Sequence, residues 1–114
     1  KVDVDDIYIN RVQEGFKMVF EPYGTGYGII DPAYKPAGKT GTAESFLDTN
    51  GDGYVDTETI SSIVVAYAPY DDPKVSFTVI SPNIAPIEAT VYGMSRVNTR
   101  ITQKISQKYF EICQ

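Results

Sequence analysis

The sequence predicts an α+β fold: an antiparallel sheet packed against an N-terminal helix and a long C-terminal helix. Three observations carry the prediction. An apolar stripe with helical spacing runs through residues 7–21, three strand-like runs follow at 38–46, 60–68 and 74–81, and a second helical stripe extends from about residue 87 to the end.

In the first helix Val12, Phe16, Val19, Phe20 and Tyr23 fall on one side. Asp5 and Asp6 suit its N-terminal cap and the positive end of its dipole. Pro22 and the glycines at 24, 26 and 28 end it, and residues 24–38 read as a Gly- and Pro-rich connection. The third strand alternates cleanly, with Val75, Phe77 and Val79 on one face. The turn Pro69-Tyr70-Asp71-Asp72-Pro73 predicts an antiparallel hairpin between the second and third strands. On the last helix Ile87, Val91, Met94, Ile101, Ile105 and Ile112 form the stripe expected to cover the sheet, with Gly93 allowing close approach. Arg96, Arg100, Lys104 and Lys108 read as a solvated face.

The chain has 114 residues, enough for one domain or a piece of one. Its net charge of −5 offers no basic patch for phosphates, which argues against nucleic acid as a partner. There is no histidine, so a Ser-His-Asp triad, a Cys-His dyad and imidazole zinc sites are excluded. A single cysteine, Cys113, leaves no internal disulfide or multi-thiolate metal site. No apolar run reaches the roughly 20 residues that span a bilayer, and the acidic first six residues carry no signal-peptide pattern. The nine tyrosines and five phenylalanines are scattered along strands and stripes, as core packing requires.

The chemistry is concentrated in Ala37-Gly38-Lys39-Thr40-Gly41-Thr42-Ala43-Glu44. A Lys-Thr-Gly triplet on a strand is one of the motifs of penicillin-binding proteins and serine β-lactamases. The eight-residue run, the helix with Glu14-Gly15-Phe16, the Gly24-Thr25-Gly26 approach and the later Ala66-Tyr67-Ala68-Pro69 together resemble the class B penicillin-binding proteins. These are monofunctional transpeptidases that cross-link bacterial peptidoglycan. The resemblance implies that residues 1–114 are the C-terminal segment of a transpeptidase domain, an incomplete domain. Its strands would be the last three of a five-stranded sheet, the other two coming from the upstream part of the same domain.

The resemblance also assigns roles. The substrate would be a stem peptide ending in D-alanyl-D-alanine, mimicked by β-lactams, and no cofactor would be required. Lys39 is the expected catalytic residue, supplying positive charge for the carboxylate and for proton transfer near the nucleophile. Thr40, Gly41 and Thr42 are the expected substrate-binding residues: two hydroxyls for the carboxylate, and a glycine that admits the ligand close to the backbone. An extended peptide can add to such a strand as a further edge strand. Strict alternation puts Lys39 and Thr42 on opposite faces, so both reach one cleft only if the strand twists about Gly41.

The nucleophile itself is absent. That chemistry needs a serine followed three residues later by lysine, and none of the serines at 45, 61, 62, 76, 81, 95 and 106 has one. The segment alone is therefore expected to be inactive. Ser81-Pro82-Asn83 and Tyr8-Ile9-Asn10 imitate a second family motif but stand in the wrong order or place. The family usually works at the extracytoplasmic face of the cell membrane, held by an anchor expected upstream of this segment.

A second constellation lies at residues 48–58. Asp48, Asn50, Asp52, the Tyr54 carbonyl and Asp56 match positions 1, 3, 5, 7 and 9 of an EF-hand-type Ca²⁺ loop, with Gly53 at position 6. Thr59 occupies position 12, where a glutamate belongs, and Glu58 stands one residue early. Two readings stand side by side: a solvated acidic hairpin turned by Asn-Gly and Asp-Gly pairs, and a weak Ca²⁺ site completed by Glu58 or water. Two alternatives to the transpeptidase remain. One is a serine β-lactamase or β-lactam sensor, against which the Thr42-Ala43-Glu44 extension and the acidic insertion argue. The other is a calcium-binding module in which the lysine triplet is incidental.

Overall fold

The structure, a computed structural model, describes residues 3–84 and 96–113. In chain order these form α1 (Asp6–Met18), a 3-10 turn at Pro32–Tyr34, β1 (Ala37–Leu47), β2 (Thr57–Ala68), β3 (Val75–Ile84) and α2 (Arg96–Ile112). The strands make one antiparallel sheet in the order β1-β2-β3. The α+β class, the two helices and the three strands agree with the expectation. The predicted start of the last helix near residue 87, with Ile87, Val91, Gly93 and Met94, lies outside the described residues.

The β1–β2 hairpin is regular along its length, from Ala37 opposite Tyr67 to Leu47 opposite Thr57. The β2–β3 hairpin forms at the predicted proline turn, closed by Lys74 N–H donating to the Ala68 carbonyl at 3.0 Å. Val75, Phe77 and Val79 share a face as the alternation requires, and Val79 is buried.

The core comprises Phe20, Ile29, Ile30, Val64 and Ala66, with Val19, Tyr34 and Phe77 packed against it. Ile29 and Ile30 come from the connection that sequence composition marks as a loop. A Gly-rich segment conceals two isoleucines that fold under the sheet, and burial of each contributes about 1.5–3 kcal/mol. Tyr34 continues this layer by stacking on Phe110 of α2, ring centroids 4.3 Å apart.

Both helices depart from the expected packing. The apolar stripe of α1 is not buried within its helical part: no residue of Asp6–Met18 is buried, and Val12 and Phe16 are exposed. Only Val19 and Phe20, which lie beyond the helix, enter the core, because the chain tightens into turns there (Phe20 N–H to Lys17 O, 3.1 Å; Gly26 N–H to Val19 O, 2.8 Å). Asp5 holds the N-cap position without a side-chain cap bond; its backbone carbonyl accepts from Tyr8 N–H at 3.0 Å instead.

On α2 the expectation is reversed. Ile101, Ile105 and Ile112 are exposed, and the face against the sheet is Asn98, Thr102, Ser106 and Phe110. Small polar side chains let the helix lie close, and their polar atoms are satisfied locally. The Thr102 hydroxyl donates to the Asn98 carbonyl and the Ser106 hydroxyl to the Thr102 carbonyl, each at 2.9 Å. Among the described residues no buried side-chain polar atom lacks a partner. Arg100, Lys104 and Lys108 are exposed, as a solvated face requires. Among the described residues no helix is long and apolar enough to cross a membrane.

Candidate functional site

β1 carries the lysine run at one side of the sheet, with β2 on its inner edge and no strand on its outer edge among the described residues. Pairing fixes which residues share a face. Lys39 lies opposite Val65, Gly41 opposite Ile63 and Ala43 opposite Ser61. The rows continue into β3, Val65 opposite Thr78 and Ile63 opposite Ile80. This is the face away from α2, and it is open: Val65 is 47% and Ile80 59% exposed.

Lys39 is exposed on that open face, its Nζ donating to the Thr40 carbonyl at 2.5 Å. Thr40 points the other way. It is buried, and its Oγ1 lies 3.0 Å from Oγ1 of Thr25. That bond ties the lysine strand to the turn Gly24-Thr25-Gly26, which is held by Gly26 N–H donating to Val19 O at 2.8 Å. Thr25 is a site residue that sequence reasoning passed over; its signal was the threonine between two glycines. Thr42 is exposed at the strand edge, in the row of Ser62 and Ser81.

The two glycines of the run differ sharply. A Cβ on Gly38 would stand 2.0 Å from the Val65 carbonyl oxygen and 2.8 Å from the Ala66 Cα. A Cβ on Gly41 would meet nothing closer than the Ile63 Cβ at 3.8 Å. The fold needs the first glycine, whereas among the described residues nothing crowds the second.

Neither imitation of the second motif joins this face. Ser81 is buried on the α2 side, in the row opposite in facing to Lys39, and Tyr8 is exposed on α1.

The acidic loop is closed by its own carboxylates. Asp48 accepts from the Gly51 N–H at 2.6 Å and the Gly53 N–H at 2.8 Å. Asn50 accepts from the Asp52 N–H at 2.9 Å, and Asp52 from the Tyr54 N–H at 2.8 Å. Asp56 accepts from the Thr57 hydroxyl at 2.7 Å and from the Thr49 hydroxyl at 2.8 Å. The Gly53 and Gly51 amides hold the Asp48 carboxyl below the usual range, and the Thr57 and Thr49 hydroxyls do the same for Asp56. Tyr54 and Glu58 are exposed. Among the described residues no group of three acidic, histidine or cysteine side chains is arranged to hold a metal ion.

Comparison with known proteins follows the same lines as the geometry. The family model for the penicillin-binding protein transpeptidase domain matches residues 1–107. Penicillin-binding protein 2A of Bacillus subtilis (strain 168) is 37% identical over 113 residues, covering 98% of this chain and 15% of that protein. The solved structure of penicillin-binding protein 2B from Streptococcus pneumoniae (strain R6) superposes with a TM-score of 0.67 at 27% identity, covering 96% of this chain and 17% of that one. The chain thus spans less than a fifth of the length of either relative.

Proposed function

Because the chain belongs to the class B penicillin-binding protein transpeptidase family, we propose that it forms the substrate-binding wall of a D,D-transpeptidase. In the whole protein a serine outside this segment attacks the carbonyl of the penultimate D-alanine of a stem peptide. The terminal D-alanine leaves, an acyl-enzyme forms, and an amine of a neighbouring stem peptide takes the acyl group. A β-lactam enters the same path and stays as the acyl adduct. The reaction belongs at the extracytoplasmic face of the cell membrane, with the upstream part of the domain as this segment's structural partner.

The observation that carries this reading is the outer edge of β1, which bears no neighbouring strand among the described residues, beside the space over Gly41. An extended stem peptide pairs along that edge through main-chain hydrogen bonds. Gly41 lets it lie against the strand. Lys39 places an ammonium on the open face, where it attracts the terminal carboxylate and favours the charged states of the attacking serine's surroundings. The Thr42 hydroxyl, at the edge, donates to the carboxylate. The buried Thr40 hydroxyl serves from behind, fixing the strand to Thr25.

Lys39→Ala in the full-length protein is the test. Intact-mass measurement of the benzylpenicillin adduct over time should show acylation slowed by about a hundredfold or more, with the adduct mapping outside residues 1–114. An adduct on a serine of this segment, or acylation at the unmutated rate, contradicts the proposal.

A further inference from the structure

We propose that Asn98, on the closed side of the sheet, is a positioning residue for the substrate-binding edge, setting the strand row that ends in Thr42. The inference rests on the transpeptidase reading.

Asn98 is 1% exposed, between α2 and the middle of the sheet. Its Nδ2 donates to the Ser62 carbonyl of β2 at 2.9 Å and to the Val79 carbonyl of β3 at 3.1 Å, and lies 3.4 Å from the Ser81 hydroxyl. One carboxamide therefore spans two strands. Pairing puts Thr42, Ser62 and Ser81 side by side across the sheet. Two of the Asn98 partners, Ser62 and Ser81, lie in the row whose outer member is Thr42, next to Gly41, and the third, Val79, lies in the neighbouring row of Val64 and Thr40.

The location matters because the regular pairing of β2 with β3 is interrupted next to it. The register shifts between Ile60 and Ser62, and Asn83 takes a left-handed backbone with φ +52°. A bulge leaves a ladder locally free to twist. Beyond it β2 and β3 pair again at Ile60 and Ile84, and side-chain contacts tie the three strands: Ser45 Oγ lies 2.8 Å from Thr59 Oγ1, and Thr59 Oγ1 lies 3.4 Å from Asn83 Oδ1. Asn98 pins the last regular row, so the twist that follows starts from a fixed point. The pinned row includes Thr42, which pairs with Ser62, so its hydroxyl keeps a fixed place relative to Lys39 on the regular β1–β2 ladder.

The chemistry suits asparagine. Two carbonyl oxygens converge on one nitrogen, which requires an NH₂ group. The other end of the amide, Oδ1, lies 3.5 Å from the Thr102 hydroxyl, which donates to the Asn98 backbone carbonyl at 2.9 Å. An aspartate here would turn a carboxylate oxygen toward two carbonyls, and an alanine would leave those carbonyls without this donor.

The test compares Asn98→Ala with Phe110→Leu in the full-length protein. Phe110 seats the same helix by stacking on Tyr34 and touches neither strand carbonyl in question. Both variants are assayed at a temperature where circular dichroism shows each fully folded, and benzylpenicillin acylation is followed over a concentration series to separate binding from the acylation step. Asn98→Ala should lose roughly tenfold or more in acylation efficiency, as displaced binding groups do, while Phe110→Leu stays within about twofold of the unmutated protein. If Asn98→Ala does not fold, Asn98→Ser, which keeps a hydroxyl donor, replaces it in the same comparison. Equal losses in the two variants, or none in either, overturn the positioning role and leave the transpeptidase reading standing. An unmutated protein that takes no penicillin overturns both.

Discussion

Gly38 and Gly41 stand on the same strand, and they lack side chains for different reasons. At Gly38 the backbone of β2 fills the space, with the Val65 carbonyl oxygen 2.0 Å from where a Cβ would be. At Gly41 the nearest atom is 3.8 Å away. The first glycine is required by folding. The second is not, since among the described residues no atom crowds the place of its missing side chain. The same division separates the two faces of the sheet. The face under α2 is closed, and among the described residues its buried side-chain polar atoms all have partners, whereas the face bearing Lys39 leaves Val65 and Ile80 in the open.

The comparison breaks first at Gly38. Gly38→Ala should destabilise the domain by at least about 3 kcal/mol, the upper end for a forced clash in a packed site, measured by chemical denaturation of the full-length protein. A loss under about 1 kcal/mol would mean that β1 moves off β2 easily and that the two glycines are alike. Next comes the closed face. Ile29→Ala should cost about 2–5 kcal/mol as a core truncation, whereas Val65→Ala should cost less than about 1 kcal/mol unless another part of the protein covers the open face. Equal losses at the two positions would place such a cover over Val65. Thr40→Val keeps the volume and removes the bond to Thr25, so a loss of about 1 kcal/mol is expected. No loss would show that the strand does not depend on the Gly24–Gly26 turn.

The acidic loop sharpens the contrast with the smallest effects. Asp48 and Asp56 have lowered pKa values in the folded chain through bonds that require the carboxylate form. Their contribution is present above the ordinary aspartate value, about 3.9, and is lost as pH falls below it through the folded values. Carboxyl NMR titration should therefore give midpoints for Asp48 and Asp56 below the ordinary aspartate value. Midpoints at or above the ordinary value would contradict the bonding described. Millimolar calcium is expected to leave the melting temperature unmoved; a rise of several degrees would show that the carboxylates turn from the loop backbone to an ion.

Much of this was legible in the sequence because local rules decided it. Alternation in Val75, Phe77 and Val79, and the proline turn at 69–73, placed β3 and its hairpin. The run 37–44 located the candidate site. What escaped was decided by tertiary packing. The isoleucines of α2 form the more apolar stripe, yet Asn98, Thr102 and Ser106 face the sheet, because close approach and hydrogen bonding to strand carbonyls favour small polar groups there. Ile29 and Ile30 hid in a segment whose glycines and prolines announce a loop. Thr25 could be linked to Thr40 only once the chain had folded back on itself.

The central claim is the proposal that the outer edge of β1 receives an extended peptide, with Gly41 kept bare for that peptide and not for the fold. Gly41→Ala in the full-length protein tests it most directly, with denaturation and benzylpenicillin acylation measured on the same sample. The account predicts stability within about 1 kcal/mol of the unmutated protein and acylation slowed by at least about tenfold. Unchanged acylation at unchanged stability would contradict it, because the added methyl group would then stand where no ligand comes.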